Sequence, residues 1–274
     1  MNPLNTIQGT IITGVVLAVV IALLVMGVQV NELSLIVWIH VLAGITWIGL
    51  LYYFNVVQVP AFAAYGDEAR ARNVSIERLA SRALWWFRWS ALATVIFGIL
   101  LIGVAADSDT HTYDGTYFFK TTSGVTLLLG IVMGFVMAAN VWMVIWPQQQ
   151  VVIANARNLL AGGEADPNAA AAARAGAMAS RQNTIFSLPL LVFMVGASHF
   201  YNATHFVQDD SKAWIFLIIG LIVIAVMEVN ALGKISGRGN TGMNIMYETH
   251  KNAMITGFAM IAGFYILAEI ILRS

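Results

Sequence analysis

Five ionisable side chains lie inside stretches too apolar to surround them with water: His40, Arg88, His199, Glu228 and Glu269, with His250 at the end of another such stretch. In hydrocarbon a polar or charged group is costly, so each is a candidate functional residue that needs a partner. His40 stands about five residues into one apolar stretch and His199 about five residues from the end of another, which at about 1.5 Å per helical residue places both imidazoles at one depth. Two neutral imidazoles on facing helices are the donor set of a six-coordinate haem iron. Gly44, one turn after His40, and Gly196, one turn before His199, would leave room for a flat macrocycle. The same histidines would equally be satisfied by a serine, a threonine or a backbone carbonyl within a bundle, and the spacing leaves both readings open.

Trp47 follows His40 by seven residues and shares its helical face. It is a candidate to line a cofactor or quinone pocket, or simply to pack between helices. Arg88 and Glu228 each stand about one turn inside the same boundary, where an ion pair between them would neutralise both charges. With His250 they form a possible second polar site, structural or proton-conducting. Glu269, His111 and His205 fall at or beyond span ends and read as solvated residues.

These residues are held by a chain that is 59% hydrophobic and only 10% charged, far below the ~25% charge of a soluble domain. A span needs about 20 apolar residues, and seven stretches qualify, roughly 9–30, 35–57, 84–105, 120–146, 184–204, 213–233 and 252–272. The expected fold is an all-α polytopic bundle, a single transmembrane domain over 1–274. The first run has no preceding Lys or Arg and no small-residue cleavage pattern, so it reads as a retained span. Charged segments from Gly66 to Arg82 and from Gln148 to Arg181 link spans, the second with an alanine-rich run suited to a surface helix. Of the 14 Lys and Arg residues, Arg70, Arg72, Arg78, Arg82, Arg157, Arg174, Arg181, Lys234, Arg238 and Lys251 share one side. Only Lys120, Lys212 and Arg273 fall on the other, which puts the N-terminus in the cytoplasm and the C-terminus outside.

The zero net charge gives no support to a nucleic-acid partner. The absence of cysteine excludes disulfides, thiolate metal sites and covalently attached c-type haem, so a redox cofactor must be held noncovalently. No phosphate-binding loop, metalloprotease helix or nucleophile elbow occurs in a credible context. Gly130, Gly134 and Ala138 form a small-residue stripe for close helix contact. Trp38, Trp142, Trp146 and Tyr201 read as an interfacial belt. No internal repeat supports an inverted-repeat transporter.

The block Trp38-Ile39-His40-Val41-Leu42-Ala43-Gly44-Ile45-Thr46-Trp47-Ile48-Gly49 resembles the membrane domain of the bacterial cytochrome-c-fused urate hydroxylases. The resemblance continues in Arg88-Trp89-Ser90-Ala91, Asn140-Val141-Trp142, Trp146-Pro147-Gln148, Ser180-Arg181-Gln182-Asn183-Thr184, Ser187-Leu188-Pro189 and His199. The His40 block by itself is also similar to membrane protoporphyrinogen oxidases and copper-resistance proteins. The resemblance implies a membrane domain that handles electrons, in a bacterial inner membrane, with the family's cytochrome c on the outer side. No cytochrome c segment follows the last span here, so a separate cytochrome c or a membrane quinone is the expected acceptor. The expected function is a haem-b-binding redox protein with His40 and His199 as axial ligands, and any substrate chemistry would resemble hydroxylation of a purine with water as oxygen donor. Two other classes stand beside it: a non-enzymatic membrane subunit of a larger respiratory or photosynthetic complex, and a transporter using Arg88, Glu228 and His250.

Overall fold

The computed structural model describes residues 6–25, 32–106, 113–199, 207 and 210–272, and among them every regular element is helical. Five helices are long and apolar enough to cross a membrane: Glu32–Ala64, Ala69–Ala105, Thr122–Leu160, Ser211–Ala231 and His250–Leu272. The chain is therefore an all-helical membrane protein. Two further helices correspond to the remaining expected spans. α1 (Ile7–Val25) is apolar throughout. α9 (Ala169–His199) carries a polar first half and an apolar second half.

The first three long helices exceed the ~30 Å hydrocarbon thickness, and each is interrupted by a π-helical turn. α2 (Glu32–Tyr52) passes through a π turn at Tyr53–Gln58 into α3 (Val59–Ala64). α4 (Ala69–Ser75) passes through Ile76–Ala80 into α5 (Ser81–Ala106). After the short α6 (Gly115–Lys120), α7 (Thr122–Ala139) passes through Asn140–Ile145 into α8 (Trp146–Leu160). Two more helices, α10 (Asp210–Ala231) and α11 (His250–Leu272), flank a 3-10 turn at Gly242–Tyr247.

The two charged segments expected as links are thus largely continuations of the spans themselves. Alanine and arginine are strong helix formers, so helix persists to Leu160 and resumes at Ala169. Gly162, at φ +85°, makes the turn between. The alanine-rich run and the fifth expected span are one helix, and this part of the molecule is a bundle of helix extensions.

α9 is the central element, packing on α7, α8, α10 and α11 and touching α2, while α2 and α5 form a second closely packed pair. The small-residue stripe of α7 lies against α9: a Cβ on Gly130 would stand 3.1 Å from Phe193 Cβ. Pro189 has no N–H, which leaves the Ile185 carbonyl without its helical donor. Gly257 of α11 seats there, since a Cβ would meet Ile185 O at 3.0 Å and Leu188 Cδ1 at 2.6 Å. Among the described residues α1 makes no extensive packing contact, and it exposes Ile7, Ile12 and Leu24.

Candidate functional site

The His40 imidazole rests in the seam between α2 and α5. Its Nδ1 lies 2.8 Å from the carbonyl oxygen of Thr94. A carbonyl only accepts, so Nδ1 carries the proton and the Nε2 lone pair stays available. Nε2 has no hydrogen-bond partner among the described residues. A metal-ligating histidine has this arrangement, with one nitrogen oriented by a backbone acceptor and the other presented to the metal. The glycine beside the ring is Gly98 of α5, not Gly44 as the sequence suggested: a Cβ on Gly98 would come within 3.0 Å of His40 Cε1. Gly44 instead faces Thr94, with 3.8 Å between its would-be Cβ and Thr94 Cγ2. The seam is close because α2 and α5 meet over most of their length, so the neighbouring helix rather than the next turn sets the space around the ring.

Trp47, two turns along α2, is 2% exposed, and its enclosed Nε1 has no hydrogen-bond partner among the described residues. An orphaned buried donor is rare in a folded protein. His199 closes α9, and its side chain lies outside the described part of the chain, as do Tyr201, His111 and His205. Tyr52 Oη and Ser187 Oγ, 2.9 Å apart, fix the register between α2 and α9. His40 is twelve residues before Tyr52 and His199 twelve after Ser187, so both backbones stand about 18 Å from that bond along their helices.

Arg88 and Glu228 do not form the expected ion pair. The Arg88 guanidinium lies over Trp146, 3.6 Å from its ring centroid, with Trp142 at 5.3 Å. Trp142 Nε1 donates to the Arg88 carbonyl at 3.2 Å. Glu228 Oε2 instead accepts from Asn140 Nδ2 at 2.9 Å, and the same amide donates to Asn183 Oδ1 at 3.0 Å. The π turn beginning at Asn140 accounts for the separation, because it presents Asn140 to α9 and α10 and turns Trp142 to α5. His250, at the start of α11, joins neither group among the described residues.

A polar seam that the titratable residues alone do not reveal runs through the end of the bundle nearest Glu228. Asn183 Nδ2 donates to the Met137 carbonyl at 2.9 Å. Tyr247 Oη donates to Gln182 Oε1 at 2.6 Å, while Gln182 Nε2 is enclosed without a partner among the described residues. Asn55 Nδ2 donates to Ser180 Oγ at 2.8 Å and to the Leu51 carbonyl at 2.9 Å. Burial pushes the Tyr247 hydroxyl above the usual phenol range, so it remains a donor. Arg181 donates to the Tyr247 carbonyl, and Arg174 binds Glu248 at 2.6 Å and the Gly239 carbonyl at 2.7 Å. The first half of α9 thereby clamps the α10–α11 connection. The sequence signal for this seam was amides within or beside spans, Asn140, Gln182 and Asn183, which are costly to bury without hydrogen-bond partners.

No three His, Cys, Asp or Glu side chains converge on a metal-sized site among the described residues. An apolar groove of about 310 Å³ lies between α9 and α11, lined by Pro189, Phe193, Phe258 and Tyr265 among others. Its composition suits an acyl or isoprenoid chain.

Fold and site together define a polytopic helical membrane protein with one oriented imidazole and a buried amide–carboxyl seam. The chain belongs to the urate oxidase N-terminal family, whose model matches residues 110–263. It is a urate hydroxylase-like membrane protein. The match spans Asn140, Gln182, Asn183, His199, Glu228 and Tyr247, while His40, Trp47 and Arg88 precede it. No curated protein and no solved structure matches the chain.

Proposed function

We propose that the chain binds haem b between His40 and His199 and passes electrons to a separate cytochrome c or a membrane quinone. The observation that carries this reading is the His40–Thr94 hydrogen bond, which holds the imidazole in the tautomer a metal requires and leaves Nε2 unclaimed. When bound, haem would be held by His40 and His199 and would supply a one-electron iron couple. The protein's own part is to orient His40 through Thr94, to exclude water with the α2–α5 seam, and to offer the orphaned Trp47 N–H to an acceptor on the bound group. The groove at Pro189 supports a quinone as acceptor, because it would receive an isoprenoid tail. Urate or a related purine is the substrate class that family membership favours.

In this reading seven helices span a bacterial inner membrane, with α1 and the second half of α9 added to the five longest. The N-terminus is cytoplasmic, because ten Lys and Arg residues gather at one end of the bundle against three at the other. The long helix extensions then project into the cytoplasm.

The test is a reduced-minus-oxidised absorption spectrum of detergent-purified protein, with a pyridine haemochrome assay. A b-type spectrum in the wild type, lost in His40→Ala and in His199→Ala, is expected. A protein that stays colourless after haem supplementation sinks the reading. It would favour the alternative, a non-enzymatic membrane subunit of a larger complex, for which the exposed apolar face of α1 is the supporting observation. A transporter is the weaker alternative, because Arg88 stacks on Trp146 while Glu228 accepts from Asn140 and His250 joins neither, so no joined polar path forms among the described residues.

A further inference from the structure

Arg88 sits in an unusual position for a cation. It stands inside a helix that crosses the membrane, yet its guanidinium has no hydrogen-bond or ion-pair partner among the described residues. Nε is enclosed and unbonded, and the terminal nitrogens are not enclosed. The flat group is stacked on Trp146, with Trp142 beside it. Trp142 in turn packs edge-on against Trp89 at 5.4 Å, Trp89 contacts Trp85 at 6.2 Å, and Trp85 packs edge-on against Trp86 at 5.1 Å. Trp85, Trp86 and Trp89 are each close to half exposed on the outside of the bundle.

Tryptophan clustered on a lipid-facing surface marks the headgroup depth of a bilayer. A guanidinium at that depth without a carboxylate is an unsatisfied charge, and the natural acceptor there is a phosphate oxygen, which arginine binds through two parallel N–H bonds. The stack on Trp146 holds the fork flat, so little freedom is lost when an anion arrives. Basic residues Arg78 and Arg82, exposed one to three turns away along the same helix run, add attraction for negative charge. We propose that Arg88, stacked on Trp146 and bordered by Trp85, Trp89 and Trp142, is a binding site for the phosphate of an anionic phospholipid. The indoles contact the glycerol and upper acyl region, and the guanidinium fixes the headgroup. The site is separate from the proposed haem ligand, since His40 bonds Thr94 and abuts Gly98 whereas Arg88 stacks on Trp146.

Native mass spectrometry from mixed micelles containing equal phosphatidylglycerol and phosphatidylcholine tests it. Wild-type protein is expected to retain phosphatidylglycerol preferentially. Arg88→Gln should lose that preference by about tenfold, the worth of one charge-assisted bond, while Arg70→Gln at the exposed start of α4 leaves it unchanged. Excess inorganic phosphate is not expected to displace the lipid; complete displacement would reassign the site to a free anion and overturn the proposal. A wild type that retains both lipids equally, or an Arg88→Gln protein that keeps the preference, also overturns it. A second measurement does not depend on a variant folding: phosphatidylglycerol with a photoreactive diazirine headgroup should label peptide Ala83–Arg88 or the Trp142–Trp146 segment of the wild type. Labelling confined to other segments overturns the proposal.

Discussion

Replacing Gly98 by alanine tests the imidazole site without removing the imidazole. The new Cβ would lie 3.0 Å from His40 Cε1 and 3.3 Å from Nδ1, against about 3.5–4.0 Å for comfortable contact between carbon atoms. The ring must withdraw by about 0.5–1 Å, which stretches the 2.8 Å bond from Nδ1 to Thr94 O past the ~3.2 Å limit of a good hydrogen bond. Losing that bond costs about 1 kcal/mol, and overpacking adds about 1–3 kcal/mol. The gain from alanine over glycine in a helix returns about 1 kcal/mol. The net expectation is a destabilisation of about 1–3 kcal/mol. Gly44→Ala is the matched control, because its Cβ would meet Thr94 Cγ2 at an ordinary 3.8 Å and should leave stability equal or up to ~1 kcal/mol higher. Unfolding midpoints in one detergent compare the two, and the haem absorption band follows ligand geometry in the same samples. Equal stability of the two variants would refute the placement of the ring on Gly98, whatever the haem result. Opposite stability changes with an unchanged haem band would keep the placement and remove His40 as a ligand.

Two further outcomes follow from named contacts. Asn140→Ala strands Glu228 Oε2 and Asn183 Oδ1 inside the bundle, with an expected loss of about 1–3 kcal/mol. In a double-mutant cycle with Asn183→Ala the coupling should exceed ~0.5 kcal/mol, and purely additive losses would contradict the shared bond. At the opposite end of the bundle, the Tyr117 hydroxyl is pushed up to about 12, first by burial and then by neighbouring Tyr113. A raised folded value means that its contribution to stability is whole below the ordinary phenol pKa of about 10 and is lost as pH climbs through about 12. Tyrosinate absorbance should therefore show one late-titrating tyrosine fewer in Tyr117→Phe; an undiminished late phase would contradict this.

Much of the architecture was legible in the residues. Runs of about 20 apolar side chains admit no other solution than helices in lipid, since backbone polar groups there must be satisfied within the segment. The skew of Lys and Arg to one side and the stripe of Gly130 and Gly134 are likewise local properties, and the stripe packs on α9 as its small side chains require. Family membership was legible too, because blocks such as Ser180–Thr184 and Asn140–Trp142 are contiguous in the chain. Tertiary structure decided where each buried polar group finds its partner. Arg88 and Glu228 share a depth, yet a π turn at Asn140–Ile145 gives one a tryptophan face and the other an amide. His40 has a glycine one turn away on its own helix, yet the glycine that shapes its surroundings is on α5. Depth follows from counting residues along one helix, whereas azimuth and contact depend on how two helices rotate and approach, and those are set by side chains far apart in sequence.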